Sequence, residues 1–141
     1  GLSAFLVAGL PGAPPEVSVD AYPPAPLPAV PPKASPQAFE AASRLGSVAT
    51  VVGDVLPLCP DLGNQALMAN FSLGPWLHVG SEVQHLGLVE AGAEVSVRGR
   101  VARWWEQKGH RFVELDLVVV GTGERPLALV RHTAIYEPAS R

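Results

Sequence analysis

From Glu94 to Tyr136 the chain runs in apolar–polar alternation, broken only by short glycine-containing turns, and this pattern constrains the fold more than any other feature. In Glu94–Glu106, Val95, Val97, Gly99 and Val101 fall on one face and Arg98, Arg100, Ala102 and Trp104 on the other. Gln107-Lys108-Gly109-His110 predicts a hairpin into Phe112–Val120, and Gly121-Thr122-Gly123-Glu124 a second turn into Leu127–Tyr136. Period-two alternation with such turns is the signature of antiparallel hairpins. A further strand is expected around Ser81–Leu86, followed by a turn at Val89-Glu90-Ala91-Gly92. Ahead of these strands the residue types change to helix formers. Asp61 is a plausible N-cap, Asn64–Asn70 contains Gln65, Ala66, Leu67, Met68 and Ala69, and Gly74-Pro75 is a stop. Leu62, Ala66 and Ala69 share one helix face, small enough to lie close on a sheet. One helix before long antiparallel strands predicts an α+β domain with the helix on a single sheet face.

The first quarter of the chain reads differently. Nine prolines lie between Pro14 and Pro36. Each removes a backbone donor and restricts its neighbour, so helix and central strand are both excluded. Residues 1–36 are therefore expected to be an apolar start and a proline-rich extended arm, lying on the domain or linking it to something else, with the folded domain in 37–141. Ser35-Pro36 opens a short helical stretch, Gln37–Arg44, closed by Gly46, and Ser47–Val52 is strand-like. The apolar stretch Ala4–Leu10 precedes the first basic residue, Lys33, whereas a secretory leader places positive charge ahead of its apolar run. It is read as a trimmed or tagged end, with a strand over Phe5–Leu10.

With 141 residues, one domain with a real core is expected. Hydrophobic residues make up 48% and charged ones only 16%, which suggests apolar surface covered by self-association. A net charge of −3 without runs of either sign argues against nucleic acid or an anionic membrane as partner. No apolar stretch reaches the ~20 residues of a membrane-spanning helix. The single cysteine excludes an internal disulfide and fits a reducing compartment, so a cytoplasmic location is expected.

Gly53-Asp54-Val55-Leu56-Pro57-Leu58-Cys59-Pro60 resembles the Gly-Asp-x-Asn-Pro-Leu-His loop of MaoC-like acyl-thioester hydratases and dehydratases, which have the hot-dog fold. Leu56 stands where that family has Asn, and Cys59 where it has His. Val89–Val97 is similar to the segment that enters the long strands of this superfamily, and Val101–His110 and Arg131–Tyr136 also resemble it. The resemblance spans roughly residues 47–136. Gly74-Pro75-Trp76-Leu77-His78 imitates the family's second motif, which opens its central helix. Only two residues separate His78 from the strand near Ser81, too few for that helix. The central helix must then be about 61–72, with Leu58-Cys59-Pro60 at its entry. On this alignment the catalytic Asp/His loop would lie upstream, and residues 21–53 contain neither Asp nor His.

Each candidate site residue carries a chemical and a plainer reading. Asp54 and Cys59 lie near the helix N-terminus, whose unpaired amides can hold an oxyanion and lower a thiol pKa. Otherwise they are a turn aspartate and a buried small hydrophobe. Ser81 and His85 share a strand face with His78 at its mouth, a set able to do acid–base work; more simply, they satisfy backbone groups or face solvent. Arg98 and Arg100, with Arg103, Lys108 and Arg111, suit a coenzyme A or carrier-protein phosphate, or form a solvated outer face. Of Trp104 and Trp105, one should be buried and the other lie at an edge. His110 and His132 read as a hairpin and a strand residue with hydrogen-bond partners. No metal-ligand spacing occurs, and no cofactor is expected.

The resemblance implies a single hot-dog domain, a curved antiparallel sheet wrapped around one central helix, forming a homodimer. It implies an acyl thioester of coenzyme A or a carrier protein as ligand. The implied reaction is enoyl-thioester hydration or dehydration, with Asp54 orienting water and His78 or His85 as partner. A non-catalytic acyl-binding or scaffolding domain and an acyl-thioesterase are the alternatives.

Overall fold

The computed structural model describes residues 17–51, 59–87 and 92–140. Five strands form one antiparallel sheet: β1 (Leu45–Val51), β2 (Leu77–His85), β3 (Glu94–Gln107), β4 (His110–Gly121) and β5 (Arg125–Glu137). Their spatial order is β1-β3-β4-β5-β2, which leaves β1 and β2 as the edges. The short helix α1 (Pro36–Ala41) precedes β1, and the longer α2 (Cys59–Asn70) lies between β1 and β2. This is the expected α+β hot-dog arrangement.

The local chemistry explains the elements. Lys108 and Gly109 both have positive φ (52° and 78°), the pair of left-handed conformations that a two-residue hairpin needs to match strand twist. Ser35 caps α1 by accepting from the Ala38 amide, and Pro36 occupies a position where a missing N–H costs nothing. The inner sheet face supplies Val95, Val97, Val113, Leu115, Leu117, Val119, Val130 and Ala134, all buried in one cluster with Leu62, Ala66 and Leu67 of α2. Phe39 from α1 closes one end of this core, edge-on to Phe71 at 5.0 Å and to Tyr136 at 4.9 Å. Aromatic pairs in this geometry add about 1 kcal/mol each beyond area burial.

Residues 17–36 of the proline-rich segment lie on the domain. Val19 is buried against Val118 and Val120 on the outer sheet face. Farther along, proline and its neighbours contribute what they still have, their carbonyls. Ala25 O accepts from Ser47 N (2.8 Å) and Pro32 O from Ser72 N (2.8 Å), while Ala34 N donates to Ser72 O (2.9 Å). Its single helical turn, Val19–Ala21, is a 3-10 turn ahead of Pro23.

Several expected details change. The first helix ends at Ala41, and Gly46 belongs to β1. The central helix begins at Cys59, so Asp61 is inside its first turn, where it accepts from Gln65 Nε2 instead of capping. Its buried stripe is Leu62, Gly63, Ala66, Leu67 and Asn70, with Ala69 only half-buried. Strand β2 starts at Leu77 rather than Ser81. An irregularity between Val101 and Arg103 reverses the phase of β3, so Trp104 packs on the core beside Phe39 instead of sharing a face with Arg100. Trp105 then points outward, stacked on Phe112 at 5.0 Å with Arg103 over its ring. The expected strand Phe5–Leu10 and most of the Val89–Gly92 turn lie outside the described residues.

Candidate functional site

Two of the predicted residues, His78 and Ser81, meet two that sequence reasoning did not single out as site residues. Ser81 on β2 is paired across the sheet with His132 on β5, and both point inward toward α2. The register of β2 shifts between His78 and Gly80. In a regular strand residues 78 and 81 would face opposite ways; the shift brings both side chains to one side. His78 Nε2 lies 3.1 Å from Ser81 Oγ, Ser81 Oγ lies 2.8 Å from His132 Nδ1, and His132 Nε2 lies 2.8 Å from Asn64 Oδ1 on α2. The His78 and His132 rings stack at 4.5 Å, tilted by only 9°.

The electrostatics follow from depth. His132 has no exposed surface and Ser81 is 7% exposed, whereas His78 is exposed. Burial pushes the His132 imidazole down to about 4, and its neighbour His78 pushes the same way. His132 is therefore neutral at physiological pH. Gly63 makes the contact with α2 possible: a Cβ there would stand 2.6 Å from His132 Cγ, closer than any side chain can approach the ring. A glycine in a helix interior costs about 1 kcal/mol relative to alanine, so this one marks a close approach.

The remaining candidates do not join this cluster. His85 ends β2, pairs with Ala128 and is exposed. Cys59 is the first residue of α2, with its side chain outside the described residues, as is all of Asp54. Arg98 and Arg100 lie on the opposite face of the sheet from His132, bound to carboxylates. Arg98 pairs with Glu124 at 2.7 Å and Arg100 with Asp116 at 3.2 Å. Arg98 is buried and Arg100 exposed, and each has a carboxylate partner among the described residues. A cavity of about 390 Å³ opens near the C-terminal end of α2, lined by Lys33, Ser72, Gly74, Pro75, Tyr136 and Glu137 among others, and includes no member of the cluster.

Asn64 and His132 were missed for a physical reason. Fifty-one residues separate Ser81 from His132 and 68 separate Asn64 from His132, so only the fold brings them together. The one local signal was Gly63, a glycine amid helix formers.

No family model matches the chain, and no curated protein matches it. Among solved structures it is similar to a hypothetical thioesterase from Streptococcus pneumoniae TIGR4 crystallised with coenzyme A. That match has 13% identity, covers 67% of this chain and 85% of the other, and has a TM-score of 0.50. It is also similar to a mutant thioesterase from Pseudomonas aeruginosa, with 15% identity, coverage of 69% and 76%, and a TM-score of 0.50. At these identities the similarity establishes the fold: the chain is a hot-dog domain. Among the described residues no helix is long and apolar enough to cross a membrane.

Proposed function

We propose that this domain binds an acyl thioester and hydrolyses it, with His78 as general base. The observation that carries the reading is an exposed imidazole, His78, hydrogen-bonded to a buried, neutral Ser81–His132–Asn64 chain. The names of the two thioesterase neighbours, one crystallised with coenzyme A, support the substrate class.

Burial supports His78 over His132 as the base. If Ser81 attacked the acyl carbon itself, its proton would pass to His132. Charging a histidine whose pKa is about 4 costs about 4 kcal/mol at pH 7. His78 is the member of the chain whose ring reaches solvent, where the attacking water and the substrate arrive. His78 takes a proton from water as the water oxygen bonds to the thioester carbonyl carbon. The tetrahedral oxyanion collapses, the C–S bond breaks, and the leaving sulfur receives the proton held by His78. The oxyanion is placed at the first turn of α2, because the start of a helix leaves backbone N–H groups without intrahelical partners.

Hydration of an enoyl thioester, the reaction implied by the MaoC-like resemblance, would use the same histidine with Asp54 as partner, so both reactions belong in one assay. Thiol release from an acyl-CoA series and hydration of crotonyl-CoA should be measured for the wild type and His78→Ala. Thiol release that falls at least about 100-fold in the variant supports the proposal. Hydration without thiol release would transfer it to the hydratase reading. Thermal stabilisation by acyl-CoA with neither reaction would leave an acyl-binding domain, and no binding would sink all three. The proposal includes a homodimer paired along β2. Leu77 (54% exposed) and Val79 (53% exposed) flank His78 on this edge, and an uncovered apolar edge invites another strand. Sedimentation equilibrium should give twice the chain mass.

A further inference from the structure

We infer that Asn64, His132 and Ser81 act as positioning residues which hold His78 in a single tautomer, with the proton on Nε2 and the free lone pair on Nδ1. The inference deepens the proposed function and rests on His78 as its base, but its structural content can be tested without turnover.

Each hydrogen bond fixes the next once the Asn64 amide presents Oδ1, rather than Nδ2, to His132. Asn64 Oδ1 has only lone pairs to offer, so the His132 nitrogen 2.8 Å away, Nε2, must carry a proton. A fully buried imidazole is neutral and holds one proton, so His132 Nδ1 is an acceptor. Ser81 has a single hydroxyl proton, and it goes to that acceptor at 2.8 Å. Ser81 Oγ then has only lone pairs left for His78, so at 3.1 Å His78 Nε2 donates. A neutral His78 consequently keeps its basic lone pair on Nδ1. Stacking on the buried His132 ring sets the plane of His78, and Gly63 lets α2 come close enough for Asn64 to start the sequence. A free imidazole exchanges between tautomers; here the selection originates in the core and is delivered to an exposed ring.

The test is nitrogen-15 histidine NMR on the full chain at pH 7.5, reading which ring nitrogen of each histidine is protonated. Wild-type His78 should show one tautomer, protonated at Nε2. In Ser81→Ala its signals should move to the average of a freely exchanging imidazole, and Ser81→Thr, which keeps the hydroxyl, should restore the wild-type pattern. His110 provides the control. Its Nδ1 accepts from the Ala139 amide at 2.9 Å, so its tautomer should be the same in all variants. Wild-type His78 protonated at Nδ1, or already averaged, overturns the inference, and that outcome does not depend on whether Ser81→Ala folds. In the thiol-release assay, Ser81→Ala should lower kcat about 10-fold with KM unchanged, and Ser81→Thr should recover it. Fixed tautomerism with no thiol release would leave the inference standing and remove the proposed reaction. Thiol release with averaged tautomers would do the reverse.

Discussion

On the inner face of the sheet the polar groups among the described residues are few and uncharged: Ser81 and His132 sit buried behind α2, with hydrogen-bond donation running one way, from His78 to Asn64. On the outer face they are many and charged. Arg100 meets Asp116, Arg103 meets Glu114, and Arg131 stands 3.8 Å from Glu114 and 4.0 Å from Asp116. Tyr22 from the proline-rich segment joins this outer lattice through Asp116. Burying a charge costs far more than burying a hydrogen-bonded neutral group. The face against the helix carries imidazole, hydroxyl and amide, and the ions lie on the other side, where even the buried Arg98 and Glu114 are paired. The difference shows which network has chemical specificity. The outer one is a mesh of interchangeable pairs, whereas the inner one has a single satisfied arrangement.

The sharpest way to break the inner arrangement is to fill the space that permits it. In Gly63→Ala the new methyl group would clash with the His132 ring, forcing it away from Asn64 and Ser81. Overpacking plus two lost hydrogen bonds, one buried and one part-buried, should cost roughly 4 kcal/mol, read as a drop in urea unfolding free energy. A loss below about 1 kcal/mol would mean that α2 does not rest on His132.

Protonation is the next largest lever. The folded pKa of His132 is lowered to about 4 from the ordinary 6.5, so between these values the unfolded chain binds the proton and the folded one does not. Its contribution is fully present above about pH 6.5, declines as pH falls, and is gone below about 4. The expected loss is on the order of 3 kcal/mol. Carboxylates titrate in part of the same window, so the wild type should be compared with His132→Gln. The wild-type curve should fall more steeply between pH 6.5 and 4; parallel curves would show that His132 is not buried neutral.

The two faces also differ in how much the sequence revealed. The alternation of β3, β4 and β5 and the helix formers of α2 were enough for an α+β domain with one helix on a sheet face, because each rests on residues a few positions apart, and the family resemblance supplied the hot-dog arrangement. The length argument that moved the central helix upstream of His78 also held, since His78 lies within β2. Local reading failed where the backbone departs from regular period. The shift at Val101–Arg103 hid the inward turn of Trp104, and the shift at His78–Gly80 hid the convergence of His78 on Ser81. His78 and Ser81 could be named as candidates from the sequence, but not their partners, which depend on a strand pairing and a helix contact across more than 50 residues.

Outer-face substitutions should be mild. Arg100→Ala removes one exposed ion pair with Asp116 and a cation–π contact with Tyr22. Arg131 remains near Asp116 to take up its charge. The expected cost is about 0.5 kcal/mol, shrinking in 1 M salt, where the screening length falls to about 3 Å. A loss of 2 kcal/mol or more would place an essential network on the wrong face. Thiol release should be unchanged in this variant, which separates stability from the proposed site.

The smallest effect is expected at Gly80, and it tests the strand shift that brings His78 and Ser81 together. A Cβ built on Gly80 meets no atom within 4 Å, in direct contrast to Gly63. Its backbone is not in the left-handed region, where a side chain would be strained. Gly80→Ala should then be neutral or stabilise by up to about 0.5 kcal/mol, through lost freedom in the unfolded chain. The His78 tautomer should remain fixed. Loss of that tautomer at undiminished stability would show that the irregularity needs glycine and that β2 can slip back to regular register. His78 would then turn away from Ser81, and the inner network would be an adjustable arrangement rather than one dictated by the core.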